Sequence, residues 1–250
     1  LCMFLARTWA MLVNRIADWR FDRDNPRTAN RAVASGRLSE RSAVRIALVF
    51  AGAFVASASL FYFFFANPWP ALLSLPVLAW IAFYSYTKRF TAWCHVFLGG
   101  ALAASPLAAA VAVDPAFLLS SDGVSLWFLS GMVVCWVAGF DIAYALQDID
   151  FDKRTGLHSV PARLGVKRSL WLSRALHFVA FLCLGGCIAF EPRFGVIMRT
   201  AGALVAALLV FEHAVLHKRG LAGLPVAFFT VNGVVSVTLG VAGIVDTLNG

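Results

Sequence analysis

Eight times along this 250-residue chain, a run of about 17 to 25 apolar residues passes with almost no charge. Such runs match the ~30 Å hydrocarbon thickness of a bilayer at about 1.5 Å of rise per helical residue. Lipid offers no partner for backbone N–H and C=O groups, so segments of this length cross it as helices. The runs predict spans at about 1–17, 43–65, 69–87, 92–113, 124–148, 170–190, 196–215 and 221–245. Hydrophobic residues make up 60% of the chain and charged ones 14%, too few polar groups to cover a soluble core of this size. The expected fold is therefore all-α: a polytopic transmembrane helical bundle, one domain over residues 1–250. Pro76, Pro106 and Pro225 fall inside predicted spans, where neighbouring groups can satisfy the freed backbone.

Charge orients the bundle. If alternate loops share a side, residues 15–45, 88–89, 153–174 and 218–219 come out together. They hold every Lys and Arg except Arg7, Arg193 and Arg199. By the positive-inside rule that side is cytoplasmic, and the net charge of +8 reports topology and anionic headgroups. The basic residues are spread over loops around acidic clusters and form no separate basic domain, so no nucleic-acid partner is expected. Cys2, Cys94, Cys135, Cys183 and Cys187 lie within or beside spans, where a thiol acts as a small apolar group. Cys183 and Cys187 are one turn apart, as are His213 and His217, but neither pair has nearby partners for a metal site.

Two acidic clusters stand out against this background. Asn14, Asp18 and Asp22 are spaced i, i+4, i+8, so they drift by only about 80° and share one helix face. Hard cations such as Mg²⁺ take carboxylate oxygen and are usually held by one or two carboxylates together with substrate phosphates. Arg15, Arg20, Arg23, Arg27 and Arg31 surround the stripe with donors suited to phosphate oxygens. A solvated helix end explains Asp24 and Glu40 well. It explains Asp18 poorly, because an acidic stripe continuing a buried face is costly without a partner.

The second cluster reads DIAYALQDIDFD from Asp141. On a continuous α-helix Asp141, Asp148 and Asp152 fall within about 20° of one line, Tyr144 about 60° from it and Gln147 about 120° off. Asp141 follows the apolar run Met132 to Phe140, so it lies inside the membrane boundary and requires a partner or a wet cavity. Each cluster is followed by a loop rich in Arg and Lys, Arg23 to Arg45 and Lys153 to Arg168. The repetition suggests two related halves with acidic ends facing across a central cavity. Between them Tyr84, Lys88 and Arg89 end the third span on the same side. A tyrosine one turn before Lys88 can hydrogen-bond a phosphate that the ammonium neutralises, although basic residues at helix ends also snorkel. Arg7 shares the side of Asn14 and either lines the cavity or pairs with an acid of another helix.

These residues resemble the motifs of the UbiA superfamily of intramembrane aromatic prenyltransferases. Asn14-RIA-Asp18-WRF-Asp22 with RTANRAVASGRLS from Arg27 to Ser39 resembles the first aspartate motif, DIAYALQDIDFD the second, and Tyr84-SYT-Lys88-Arg89 the YxxxK element between them. The resemblance implies a bundle around a central cavity, closed on the cytoplasmic side by the loops after the two motifs. It implies Mg²⁺ held by Asn14, Asp18, Asp22, Asp148 and Asp152 and bridging to an isoprenoid diphosphate. Asp141 joins these aspartates in catalysis, and Arg31, Tyr84, Lys88, Arg89, Tyr144 and Gln147 contact substrate. The partners implied are an isoprenoid diphosphate, a phenolic or naphthoic acid and the lipid bilayer, most like the branch acting on 4-hydroxybenzoate or a dihydroxynaphthoate. The setting implied is a bacterial inner membrane with the site facing the cytoplasm.

The chain departs from the family pattern twice. Position 15 is Arg where the usual motif has Asp, so Arg15 either contacts an anion or snorkels to headgroups. The family generally has nine helices, and the chain starts with what resembles the second, which implies that a first helix is missing. The chemistry expected is ionisation of the allylic C–O bond, attack on the cation by a ring carbon ortho to the hydroxyl, and loss of the ring proton. Two other classes remain open on the residues alone. Intramembrane acids also serve cation or proton transporters, but those hold them near the midplane on broken helices without a phosphate-binding basic shell. An inactive fragment or assembly partner is the third reading.

Overall fold

The structure, a computed structural model, describes residues 1–249. Its elements are α1 (Cys2–Asp24), α2 (Glu40–Phe65), α3 (Trp69–Thr87), α4 (Cys94–Val113), α5 (Val124–Tyr144), α6 (Ile149–Thr155), α7 (Val160–Phe190), α8 (Val196–Arg219) and α9 (Asn232–Asn249). Short 3₁₀ turns and one π-helical turn connect them, and no strand forms among the described residues. Seven helices are long and apolar enough to cross a membrane. The other long helix, α1, carries Arg7, Arg15 and Asp18 along its length and packs on α2 and α3. Phe63, Phe64, Phe65, Val210 and Val237 point outwards from the bundle, as lipid-facing side chains do.

The eight expected spans are all found, and the differences lie at polar ends. α1 continues through Asp18 and Asp22 to Asp24, because the acidic stripe keeps the helical period of the apolar face before it. The stretch before residue 170 is not a loop. Ser159 caps a helix start there, its hydroxyl accepting from the Ala162 N–H, with Pro161 in the first turn where no N–H is needed. Gly165, with φ of 73°, then turns the chain into the membrane part of α7. At the end of α5 a 3₁₀ turn over Ala145–Asp148 separates α5 from α6. The last predicted span divides into a π-helical turn, Val226–Val231, and α9.

Neighbours in sequence are mostly neighbours in space: α1 packs on α2 and α3, α3 on α4, α4 on α5, α5 on α7, α7 on α8 and α8 on α9. The tightest approaches use glycine. A Cβ on Gly99 of α4 would lie 2.5 Å from the Val134 carbonyl oxygen of α5, and one on Gly139 of α5 would lie 2.3 Å from His177 of α7. Such small residues let helix backbones come together in lipid, where burial itself gives little drive. The apolar core lies in the second half, around Met132, Leu184, Val205, Leu209, Val231 and Val235. The first half meets the second at α4 and α5, and the acidic ends of α1 and α5 open into one space there.

Candidate active site

That space is a cavity of about 260 Å³ at the end of the bundle carrying the basic loops. Asn14, Asp18 and Asp22 line it from α1, Tyr84 and Lys88 from the end of α3, and Asp141, Tyr144, Asp148 and Asp152 from the second motif. Arg31, Asn25, Arg27 and Thr28 reach it from the loop after α1. The motifs, separated by more than a hundred residues of sequence, thus stand in one chamber.

The first cluster is only partly paired. Asn14 donates to Asp18 Oδ2 at 3.2 Å, and Arg89 lies 3.6 Å from Asp18 Oδ1. Asp22 is 6% exposed and accepts from Arg31 at 2.6 Å through Oδ1, while its buried Oδ2 has no partner. A buried carboxylate oxygen without a donor is expensive and marks a place made for a positive partner.

The second cluster is more heavily paired with cations, although the buried Asp152 Oδ1, beside Lys88, completes no hydrogen bond. Asp148 Oδ1 accepts from Asn25 Nδ2 and Arg27 Nε, both at 2.9 Å, and Arg27 Nη2 closes the fork on Oδ2 at 2.5 Å. Arg27 also donates to the Tyr144 hydroxyl at 3.2 Å, and the Tyr144 ring rests on Phe228. Burial is the largest single effect and works against the Arg27 charge, but the hydrogen bonds and charge of Asp148, with Tyr144 and Asp22, together outweigh it and raise its affinity for the proton. Asp152, with no exposed surface, lies 2.7 Å from the Lys88 ammonium and accepts from Ser159 Oγ at 2.7 Å. Lys88 is likewise pushed down most by burial, and the charge and hydrogen bond of Asp152, with the charges of Asp148 and Cys94, together push it up further.

Three site expectations change. Gln147 is exposed and donates to the Tyr144 carbonyl at 3.1 Å, outside the cavity. The 3₁₀ turn is the cause: at three residues per turn it rotates the residues after Tyr144 away from their α-helical directions. The single line drawn through Asp141, Asp148 and Asp152 is broken by the same turn, yet all three reach the cavity. Arg89 is not a lining residue. Its guanidinium bonds the Ala17 carbonyl and lies over Phe21 and Tyr86, so it clamps α1 against the α3–α4 turn. Asp148 and Asp152, the metal ligands the motif implies in the second cluster, pair here with Arg27 and Lys88. Of the residues left open, Arg7 is exposed and Arg15, half-buried, does not line the cavity. Asp24 pairs only with exposed Arg23, as a solvated helix end should.

Sequence reasoning missed Asn25, Ser159 and His95 as site residues, and it placed Arg27 only among the arginines around the first stripe, not on Asp148. Arg27 sits in a loop with several other arginines, and its partner is 121 residues away. His95 carried a usable signal, since a histidine inside an uncharged span needs a partner. It is 2% exposed and lies 2.7 Å from Asp141 Oδ2 through Nδ1.

Among the described residues, no three His, Cys, Asp or Glu side chains converge on one point. The protein alone therefore offers no complete metal cage. Two carboxylates, one of them with an unpaired buried oxygen, and an amide oxygen do fit a cation that also takes ligands from a phosphate-bearing substrate.

Embedded helices around a chamber of acids faced by arginine and lysine define a class: an enzyme of the membrane that handles an anionic substrate at the bilayer edge. Residues 1–234 match the UbiA prenyltransferase family, and the chain belongs to it and is a polyprenyltransferase. It is 28% identical over 206 residues to a 4-hydroxybenzoate octaprenyltransferase of Hydrogenovibrio crunogenus, covering 80% of this chain and 68% of that one. It is 30% identical over 220 residues to the enzyme of the same name in Nitrosospira multiformis, with 86% and 70% covered. The apo structure of a UbiA homolog from Aeropyrum pernix K1 superposes with a TM-score of 0.85 at 33% identity, covering 98% of this chain and 86% of that one. Family membership sets aside the transporter reading.

Proposed function

We propose that the chain transfers a polyprenyl group from an isoprenoid diphosphate to an aromatic acid, 4-hydroxybenzoate or a dihydroxynaphthoate, for ubiquinone or menaquinone synthesis. The membrane is a bacterial inner membrane and the cavity faces the cytoplasm, in keeping with the distribution of Lys and Arg. The observation that carries the reading is the cavity itself, where Arg27, Arg31 and Lys88 stand opposite the partly unpaired acids of α1. The names of the relatives point to the aromatic acid.

Asn14, Asp18 and Asp22 would hold Mg²⁺, with Asp22 Oδ2 as the oxygen awaiting a partner. When bound, Mg²⁺ supplies neutralising charge for the departing diphosphate. The remaining work belongs to the chain. Arg27 and Lys88, now spent on Asp148 and Asp152, present the fork and point charge that diphosphate oxygens take. The Tyr84 hydroxyl offers a further donor one turn from Lys88. Aligned donors of this kind are stronger once the site excludes water, and they favour the transition state in which the C–O bond has parted. Phe21, Leu98, Phe151 and Leu157 wall the cavity and keep water from the allylic cation. The phenolic ring carbon then attacks, and loss of its proton restores aromaticity.

The test is an assay of membranes containing the chain, with isoprenoid diphosphate, Mg²⁺ and a panel of phenolic and naphthoic acids. Prenylation ortho to a hydroxyl of one acid, abolished by a chelator, is expected. No transfer to any member of the panel would reject the reading.

A further inference from the structure

His95 joins three helices through one ring. It is the second residue of α4, its Nδ1 lies 2.7 Å from Asp141 Oδ2 on α5, and its Nε2 lies 3.3 Å from the backbone nitrogen of Val160, the first residue of α7. A backbone N–H can only donate, so Nε2 must carry the lone pair. The proton then sits on Nδ1 and is donated to Asp141. Read this way, the ring is neutral and its proton points at the Asp141 carboxylate.

The two ends of this link differ in kind. Asp141 lines the cavity with its side chain a quarter exposed, whereas His95 is almost completely enclosed. One carboxylate oxygen is fixed by the ring, and the other is left for whatever occupies the cavity. The Val160 end is built into the loop that closes the second motif. The His158 N–H donates to the Lys88 carbonyl at 2.7 Å, and the Cys94 thiol lies 3.6 Å from the His158 carbonyl. Ser159 ties the same loop to Asp152. The orientation of Asp141 is therefore set, through His95, by the seating of residues 158–160.

We propose that His95 is a positioning residue for the transfer reaction, a neutral Nδ1–H imidazole that aims Asp141 into the cavity and makes its aim depend on the seated loop. A buried histidine serving only to cross-link helices would stabilise the bundle and leave the chemistry of folded enzyme alone. The proposal rests on the transferase reading above, so the experiment separates the two.

Asn and Leu have nearly the same shape, but Asn places a donor where His95 carries Nδ1 and Leu places none. In the intact protein, reconstituted in nanodiscs, His95→Leu should lower kcat about 100-fold, the scale of a misplaced catalytic group. The KM for isoprenoid diphosphate should stay within twofold. His95→Asn should recover to within about tenfold of the parent kcat, and Asp141→Asn combined with His95→Leu should lose little beyond Asp141→Asn alone. Equal kcat in folded Leu and Asn variants, or a kcat in His95→Leu matching the parent, would overturn the proposal. Nitrogen NMR of histidine-labelled protein adds a readout independent of turnover, with Nδ1 protonated and Nε2 bare. A parent chain inactive on every acceptor overturns the transferase reading, whereas an active parent whose His95 is protonated at Nε2 overturns this proposal alone.

Discussion

The two acidic clusters share residue types and one cavity, yet they are paired to different degrees: Arg31 alone holds Asp22 closely on α1, while both Asp148 and Asp152 have a close cation. On α1, Asp22 leaves a buried oxygen without a donor and Asp18 has only Asn14 and a distant Arg89 for company. Across the cavity, Asp148 is forked by Arg27 and braced by Asn25, and Asp152 is enclosed between Lys88 and Ser159. Equal carboxylates therefore have unequal tasks. The first cluster is short of positive charge and is suited to receive a cation. The second stores two basic side chains at the place where a diphosphate would need them, and a resting ion pair keeps each from wandering.

That contrast can be broken by removing one charge on each side. Asp18→Asn is expected to cut prenyl transfer at least 100-fold with little loss of thermal stability, because its one ion pair, to Arg89 at 3.6 Å, is long and partly exposed. Asp148→Asn should cut transfer by a similar factor and also destabilise the protein by about 2 kcal/mol. Breaking a fully buried pair costs about 3–5 kcal/mol, and Arg27 is partly solvated. Together the two changes should cost far less than the product of the single effects, since each disables the same unit. Matching stability profiles for the two single variants, measured beside turnover at equal protein levels, would abolish the distinction between the clusters.

Arg27→Gln probes the stored cation directly. The KM for isoprenoid diphosphate should rise about 10- to 100-fold, the equivalent of a lost charged hydrogen bond of about 1.5–3 kcal/mol. An unchanged KM would leave Arg27 as a purely internal partner of Asp148. A smaller effect is expected from Ser159→Ala, which removes both the α7 cap and one bond to Asp152. Chemical denaturation should show a loss of about 1 kcal/mol, with turnover reduced only a few-fold. Arg15→Gln should do least, leaving both Michaelis constants within twofold, because Arg15 does not line the cavity. A larger change in either constant would place it among the anion contacts after all.

The bundle was legible in the sequence because lipid imposes a length and a composition on every crossing segment. α3 was read to its final residues, since Asn67 and Pro68 precede it and Lys88 follows. The acids were legible for a related reason: charge at the end of an apolar run is conspicuous. What the sequence concealed was geometry that depends on a departure from the 3.6-residue period. The four-residue 3₁₀ turn before Asp148 decides that Gln147 faces away, and no pattern in ALQD announces it. Long-range pairing was hidden too. Arg27 looks like any arginine of its loop until Asp148 arrives from across the bundle, and His95 gains its meaning only from α5 and α7. The helical start of α7 escaped because Arg163, Lys167 and Arg168 exclude it from lipid, although a helix outside the membrane has no such need.

Asp246 of α9 accepts from the backbone N–H groups of Gly195 and Met198, both at 2.8 Å, and so caps α8 from another helix. The residue at the head of α8 is glycine, which has no side chain to do this for itself. During biogenesis α8 therefore enters the bilayer before its leading amides have their protein partner, and they gain it only when α9 has crossed and aligned beside it. A later helix thus acts as the latch on the one before it, and maturation of this half of the molecule waits on the arrival of α9.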